Sequence, residues 1–183
     1  MEPSAEHIAL PGAAVALIIA GAPPQLLLIR RAAHPLDPWS GHVALPGGRI
    51  DPGDTNSLHA AIRETLEEVG VVLEQSFLRT TLPPTTAFAG TARPRLQVDA
   101  HVFRLPDLPG VRIAIDEVAE AFWIPLSELK NPARATRHIL AGQSAGIAQT
   151  HFPALEYEGR IIWGLTYSIV HQFLAMTSRF EDF

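Results

Sequence analysis

The chain has 183 residues, 47% of them hydrophobic, which is enough apolar material for one sizeable core. Its formal charge of −5 excludes a broad basic surface of the kind that binds nucleic-acid polymers. It has no cysteine, which excludes disulfides and thiolate zinc sites.

No repeat, heptad run or low-complexity tract marks a second unit, so one domain over 1–183 is expected. Residues 13–20 and 25–30 read as two strands joined by Gly21-Ala22-Pro23-Pro24. The apolar run 13–22 is too short for a bilayer, which takes about 20 residues, so no membrane is expected as a partner. Glu2 and Glu6, with no Lys or Arg in that leading segment, argue against a secretory signal, and the cytoplasm is the expected location. Residues 35–40 read as loop and 42–45 as a short strand leading into a Pro46-Gly47-Gly48 turn. A helix follows over about 56–69 and stops at Gly70, with Asp54 or Thr55 placed to cap its start. Residues 77–82 and 96–103 read as strands around a loop at 83–94. Another strand is expected at 121–124, a short helix at 127–129, and a last strand at 161–163; the pattern over 132–148 decides nothing. Residues 165–176 read as a closing helix that buries Ile169, Val170, Phe173 and Leu174.

The chemistry is concentrated in Arg63-Glu64-Thr65-Leu66-Glu67-Glu68-Val69-Gly70. At about 100° per residue, Glu64, Glu67 and Glu68 share one ~100° arc of the helix. Leu58, Ile62, Leu66 and Val69 gather opposite, which predicts a buried apolar stripe and an exposed acidic one. Like charges at these spacings cost an isolated helix roughly 0.2–0.5 kcal/mol per pair, and an adjacent divalent cation would reverse that penalty. Carboxylates without nearby Cys or a His pair favour Mg²⁺ or Mn²⁺, ions that take further ligands from water and phosphate. A phosphate-bearing substrate is therefore expected. The bland alternative, a solvated acidic face, is weakened by the glycine-rich approach and the fixed spacing.

This stretch resembles a Nudix box, G-x5-E-x7-R-E-U-x-E-E-x-G-U, where U is a bulky aliphatic residue. It departs in two ways: Asp54 stands for the first Glu, and eight residues rather than seven separate it from Arg63. The resemblance implies an α/β fold, the Nudix α/β/α sandwich with a mixed sheet between helices. It implies that Glu67 and Glu68 are principal metal ligands and that Glu64 is a further ligand or activates water. A carbonyl of the Gly47-Gly48 turn, taken at Gly48, would complete the coordination, and Arg63 would orient the acids. Beside three Glu side chains, the forked Arg63 guanidinium more plausibly holds one of them than touches substrate. Glu117, in Asp116-Glu117-Val118, is similar to the later carboxylate that assists the water or binds another metal. The activity implied is hydrolysis of a small nucleotide diphosphate, and because the family often dimerises, a homodimer is expected.

The flanks narrow the resemblance. Gly41-His42-Val43-Ala44-Leu45-Pro46-Gly47-Gly48 looks like the G-x3-F-P-G-G segment of coenzyme A diphosphatases, with Leu45 for Phe. Ile162-Trp163-Gly164-Leu165-Thr166 is similar to their I-W-G-L-T segment. Against this, Leu27-Leu28-Ile29-Arg30-Arg31-Ala32 lacks the Thr and Ser of their upstream pattern, and Asp37 replaces its second Arg. Coenzyme A is one expected substrate, with ADP-ribose or another nucleotide as alternatives. A nucleotide-binding sensor without hydrolysis is the rival reading; such domains typically lose box carboxylates, and this chain keeps all three. Arg30, Arg31, Arg79, Arg93 and Arg95 are candidate phosphate contacts, and His42 is the histidine placed most suggestively. Trp163 could stack a base, although an aromatic at a strand end is more often core.

Overall fold

The computed structural model describes residues 12–35, 39–87, 96–140 and 150–177. Gly12–Ala20 (β1) and Gln25–Arg31 (β2) form an antiparallel pair, and both are buried along almost their whole length. Their near-continuous apolar runs are what a strand covered on both faces requires. Val43–Ala44 (β3) pairs with β2, and Gly47–Arg49 (β4) pairs with β1, Ala14 opposite Gly48 and Val15 opposite Gly47. The two glycines expected in a turn thus belong to a strand.

Ser57–Val69 (α1) follows, capped by Asn56 rather than by Asp54 or Thr55: Asn56 Oδ1 accepts a 2.9 Å hydrogen bond from the His59 amide. Gly70 closes the helix in the left-handed region, as expected, and donates to the Leu66 carbonyl. Leu78–Thr81 (β5), Thr85–Ala87 (β6) and Leu96–Leu105 (β7) come next, so part of the loop predicted at 83–94 is strand. Arg93 and Arg95 lie outside the described residues, as does Asp37. Val118–Pro125 (β8) and Leu126–Leu129 (α2) match the predicted strand and short helix with longer bounds.

The main sheet has the order β3-β2-β1-β7-β5, with β8 on β2, β4 on β1 and β6 on β7. It is mixed, because β1 and β7 run parallel from Gly12 opposite Gln97 to Ala20 opposite Leu105. A second, antiparallel sheet is built from Ala135–Leu140 (β9), Thr150–Tyr157 (β10) and Arg160–Trp163 (β11), followed by Gly164–Thr177 (α3). Thr166 Oγ1 donates to the Val43 carbonyl at 3.0 Å, which ties the start of α3 to the main sheet. Among the described residues no helix is long and apolar enough to cross a membrane.

The core has two faces, as an α/β/α sandwich requires. Leu17, Ile19, Leu26 and Leu28 pack with Ile169, Val170 and Phe173 of α3 on one side. Leu174 is partly buried against the same cluster. Ala14, Ala16, Ile18, Leu27 and Ile29 pack with Ala60, Ala61 and Val69 of α1 on the other.

The predicted burial of α1 needs correction. Leu66 is 50% exposed, whereas Ala60, Ala61, Thr65, Glu68 and Val69 are buried. Small side chains set the contact: fully buried Ala60 and Ala61 meet the alanines of β1, so the helix lies close to the sheet. That orientation turns the Glu64 and Glu68 side of the helix toward β4.

Candidate active site

Glu68 is 3% exposed, and its Oε2 accepts a 2.8 Å hydrogen bond from the Gly47 amide. Glu64 stands beside the next glycine. A Cβ at Gly48 would lie 2.5 and 2.6 Å from Glu64 Oε1 and Oε2, so any other residue would displace that carboxylate. Gly47 has φ of +143°, and a Cβ there would collide with the Ala14 carbonyl. The glycine pair is therefore fixed by two separate requirements, one for backbone shape and one for the acid packed on it.

Glu67 is more than half exposed. Its Oε2 accepts from Arg63 Nη1 at 2.9 Å, and the same nitrogen donates to Glu64 Oε1 at 3.0 Å. The other edge of the guanidinium forks onto Asp54, Nε to Oδ1 at 3.0 Å and Nη2 to Oδ2 at 2.8 Å. Arg63 thus holds two of the three glutamates, where sequence reading expects one, and its main anchor is Asp54. Asp54 also accepts from the Asp51 amide at 2.8 Å and contacts His59 Nδ1 at 3.0 Å. The signal for Asp54 is its place at the box's first acidic position, but a capping role competes for that reading.

Electrostatics divide the acids into two groups. The hydrogen bonds from Arg63 and the Asp51 amide hold the Asp54 carboxyl well below the usual range, and its bond to Asp54 is the main reason Arg63 is raised. Burial pushes the Glu68 carboxyl up to about 8, outweighing the Gly47 hydrogen bond, with the Glu64 and Glu117 charges adding to the rise. Burial also raises Glu64, opposed by Arg63 and reinforced by Glu67 and Glu117. For Asp54 the cation outweighs burial; for Glu64, despite its bond to Arg63, and for Glu68, burial outweighs the groups that favour the charge.

Glu117 is exposed, yet its charge is felt at both Glu64 and Glu68. Its segment is fastened to the far end of α1, where helix carbonyls lack partners. The Arg112 amide donates to the Val69 carbonyl and the Ala114 amide to the Glu68 carbonyl, each at 2.9 Å. Beyond the turn, the Ala32 amide donates to the Glu117 carbonyl at 2.9 Å, which fixes the segment to the end of β2.

The fit of these residues to a divalent ion rests on donor chemistry. Glu64, Glu67, Glu68 and Glu117 offer only oxygen, the set suited to Mg²⁺ or Mn²⁺. The raised Glu64 and Glu68 carboxyls are sites where a cation can take the place of a proton. Among the described residues no group of three or more His, Asp or Glu side chains is placed to hold a metal ion as it stands, and Glu67 and one oxygen of Glu64 bond Arg63.

A mixed sheet between helices, with an acidic helix seated on a glycine strand, defines a Nudix-type domain. The NUDIX domain model matches residues 10–141, and the chain belongs to that family. An uncharacterized protein of Schizosaccharomyces pombe is 39% identical over 117 residues, 62% of this chain and 36% of that protein. The chain thus matches little more than a third of that relative's length. The uncharacterized Nudix hydrolase NudL of Yersinia enterocolitica is 34% identical over 149 residues, covering 81% of this chain and 72% of NudL. The fold also resembles the crystal structure of a C. elegans Ap4A hydrolase binary complex, with a TM-score of 0.59 at 20% identity, covering 93% of this chain and all of that one.

Proposed function

We propose that this chain, as a single domain, is a Mg²⁺- or Mn²⁺-dependent hydrolase that cleaves the diphosphate linkage of a small nucleoside diphosphate derivative. Coenzyme A is the first substrate to test. The observation that carries the reading is the pair Glu64 and Glu68, two acids of α1 packed against a glycine strand, whose carboxyls are both raised by burial.

Glu67 and Glu68 would hold the metal with Glu64 and a carbonyl at Gly48. When bound, a divalent ion offsets the charge on the diphosphate oxygens and lowers the pKa of water. Glu64, partly shielded from solvent, is either a further ligand or the base that takes the proton from the attacking water. Glu117 supplies the last carboxylate from the opposite side, steadied by the Ala114 and Arg112 hydrogen bonds to α1. Arg63 acts through the acids: by gripping Asp54 it fixes the direction of Glu64 and Glu67.

The test is a product assay with Mg²⁺ and Mn²⁺ over coenzyme A, ADP-ribose, dinucleoside polyphosphates and nucleoside triphosphates. Release of 4′-phosphopantetheine from coenzyme A is the expected result for the first substrate. Turnover of ADP-ribose alone would reassign the substrate and keep the chemistry. Nucleotide binding with no product under either ion would replace the hydrolase by a sensor domain.

A further inference from the structure

A cleft of about 460 Å³ opens where β2 and β8 meet the three-stranded sheet. Trp163 forms part of its wall: the His138 ring stacks on the indole at 4.0 Å with planes 27° apart, and His42 stands edge-on at 5.0 Å. Glu120 bridges the two arginines of the cleft, accepting from Arg30 Nε at 3.2 Å and from Arg160 Nε at 3.1 Å.

Three stretches of chain each give one residue to this cleft and another to the acidic site. Arg30 lines the cleft, and the charge of Arg31 is felt at Glu68. His42 lines it, and a few residues on, the Gly47 amide bonds Glu68. Glu120 lines it, and the charge of Glu117 is felt at Glu64 and Glu68. A ligand reaching from one site to the other therefore crosses only the end of the sheet.

We propose that this cleft receives the base of the substrate, a purine-sized heteroaromatic ring laid against Trp163 and His138, while its diphosphate lies at Glu64 and Glu68. This rests on the hydrolase reading above. The volume falls within the roughly 300–1,000 Å³ of small-molecule sites. Aromatic rings in the wall favour a flat π-system, and stacking accepts any base. Charge selects the base over a further phosphate: Arg30 and Arg160 already share the Glu120 carboxylate, and Arg160 also pairs with Glu158. What these groups leave for a ligand is a mixed edge of donors and acceptors, which suits a neutral base with ring nitrogens and an amino group.

The experiment is calorimetric titration of AMP, with EDTA present, into the wild type, Trp163→Ala and His138→Ala. AMP is expected to bind the wild type and to weaken about tenfold or more in each variant. Ribose 5-phosphate, which has no base, is expected to show no difference among the three. Absence of AMP binding to the wild type, or equal AMP affinity across the three, overturns the proposal. Melting by circular dichroism is recorded alongside; if Trp163→Ala melts early, His138→Ala, at a partly buried position on β9, decides alone. A wild type that hydrolyses diphosphates but fails this titration loses the subsite and keeps the activity. One that binds AMP through its base yet yields no product with Mg²⁺ or Mn²⁺ keeps the subsite and loses the activity.

Discussion

The Gly47 amide donates to Glu68 Oε2 at 2.8 Å, joining the acidic helix to the strand beneath it. Glu68→Gln retains an acceptor for that amide, so its melting temperature in the presence of EDTA should match or exceed the wild type. Its kcat should fall about a hundredfold or more, because the amide cannot replace a charged ligand. Glu68→Ala should lose the activity and, in addition, about 1–3 kcal/mol of stability by leaving a buried N–H unpaired. Near-normal turnover by Glu68→Gln would remove Glu68 from the proposed metal ligands.

The raised Glu68 carboxyl makes metal-free stability depend on pH with a definite sign. The folded state holds this proton more tightly than the unfolded chain, so the contribution is complete below the unfolded pKa and is lost as pH rises to about 8. Glu64 acts in the same direction. Asp54 acts oppositely, losing its contribution only in acid as its lowered carboxyl takes up a proton. In EDTA, melting temperature should therefore decline from about pH 5 to about pH 8. Glu68→Gln should flatten much of the decline, and saturating Mn²⁺ should oppose it by binding the charged form. An unchanged slope in the variant would show that another group sets the profile.

Arg63 offers a separate test, because its fork onto Asp54 needs two edges of one planar group. Arg63→Lys should keep the charge but lose the paired geometry, lowering kcat more than it raises KM. Arg63→Ala should also melt earlier than the wild type, since the Asp54 side chain is only 1% exposed and would lose its paired cation. Urea titration of Arg63→Ala, Asp54→Asn and the double variant measures the coupling. Additive losses would mean that the two side chains do not support one another.

The adjacent glycines should separate under substitution. Gly48→Ala places a methyl group against the Glu64 carboxylate, so activity should fall sharply with a modest loss of stability. Gly47→Ala combines a disfavoured φ with a backbone collision and should cost much more stability. Thermal melts beside kcat for both variants would show the split; the reverse order would refute the packing described for the pair.

The segment before β8 can be loosened without touching an acid. Ala114→Pro removes the amide that donates to the Glu68 carbonyl, so it should lower kcat by about tenfold while leaving most of the fold intact. Comparison with Glu117→Gln distinguishes the effects: if Glu117→Gln is fully active, the segment matters for stability and not for chemistry.

Much of this was legible in the residue order. The unbroken apolar runs of β1 and β2 and the Gly70 stop of α1 are local features, and local features define their own elements. The spacing of Glu64, Glu67 and Glu68 identified the acidic helix, but periodicity misjudged its buried side. Alanine contributes little to an apolar pattern, although Ala60 and Ala61 make the closest packing. Arg63 on α1 bonds Asp54 in the loop just before it, and the course of that loop is not set by sequence spacing, so the partnership required the fold. β10 escaped reading because Pro153 lies in its middle, a residue that normally argues against a strand between two others. The stack of His138 on Trp163 depends on the pairing of three strands, with Phe152 opposite His138 and Ala154 opposite Trp163.

The Arg63 bridge bears on how the domain behaves before any ion arrives. Crowded acids usually force a choice between repulsion and disorder, but here a tethered guanidinium acts as an internal counter-ion for Asp54, Glu64 and Glu67. The helix can keep its geometry with no cation bound. Chelation should therefore silence the protein reversibly instead of unfolding it.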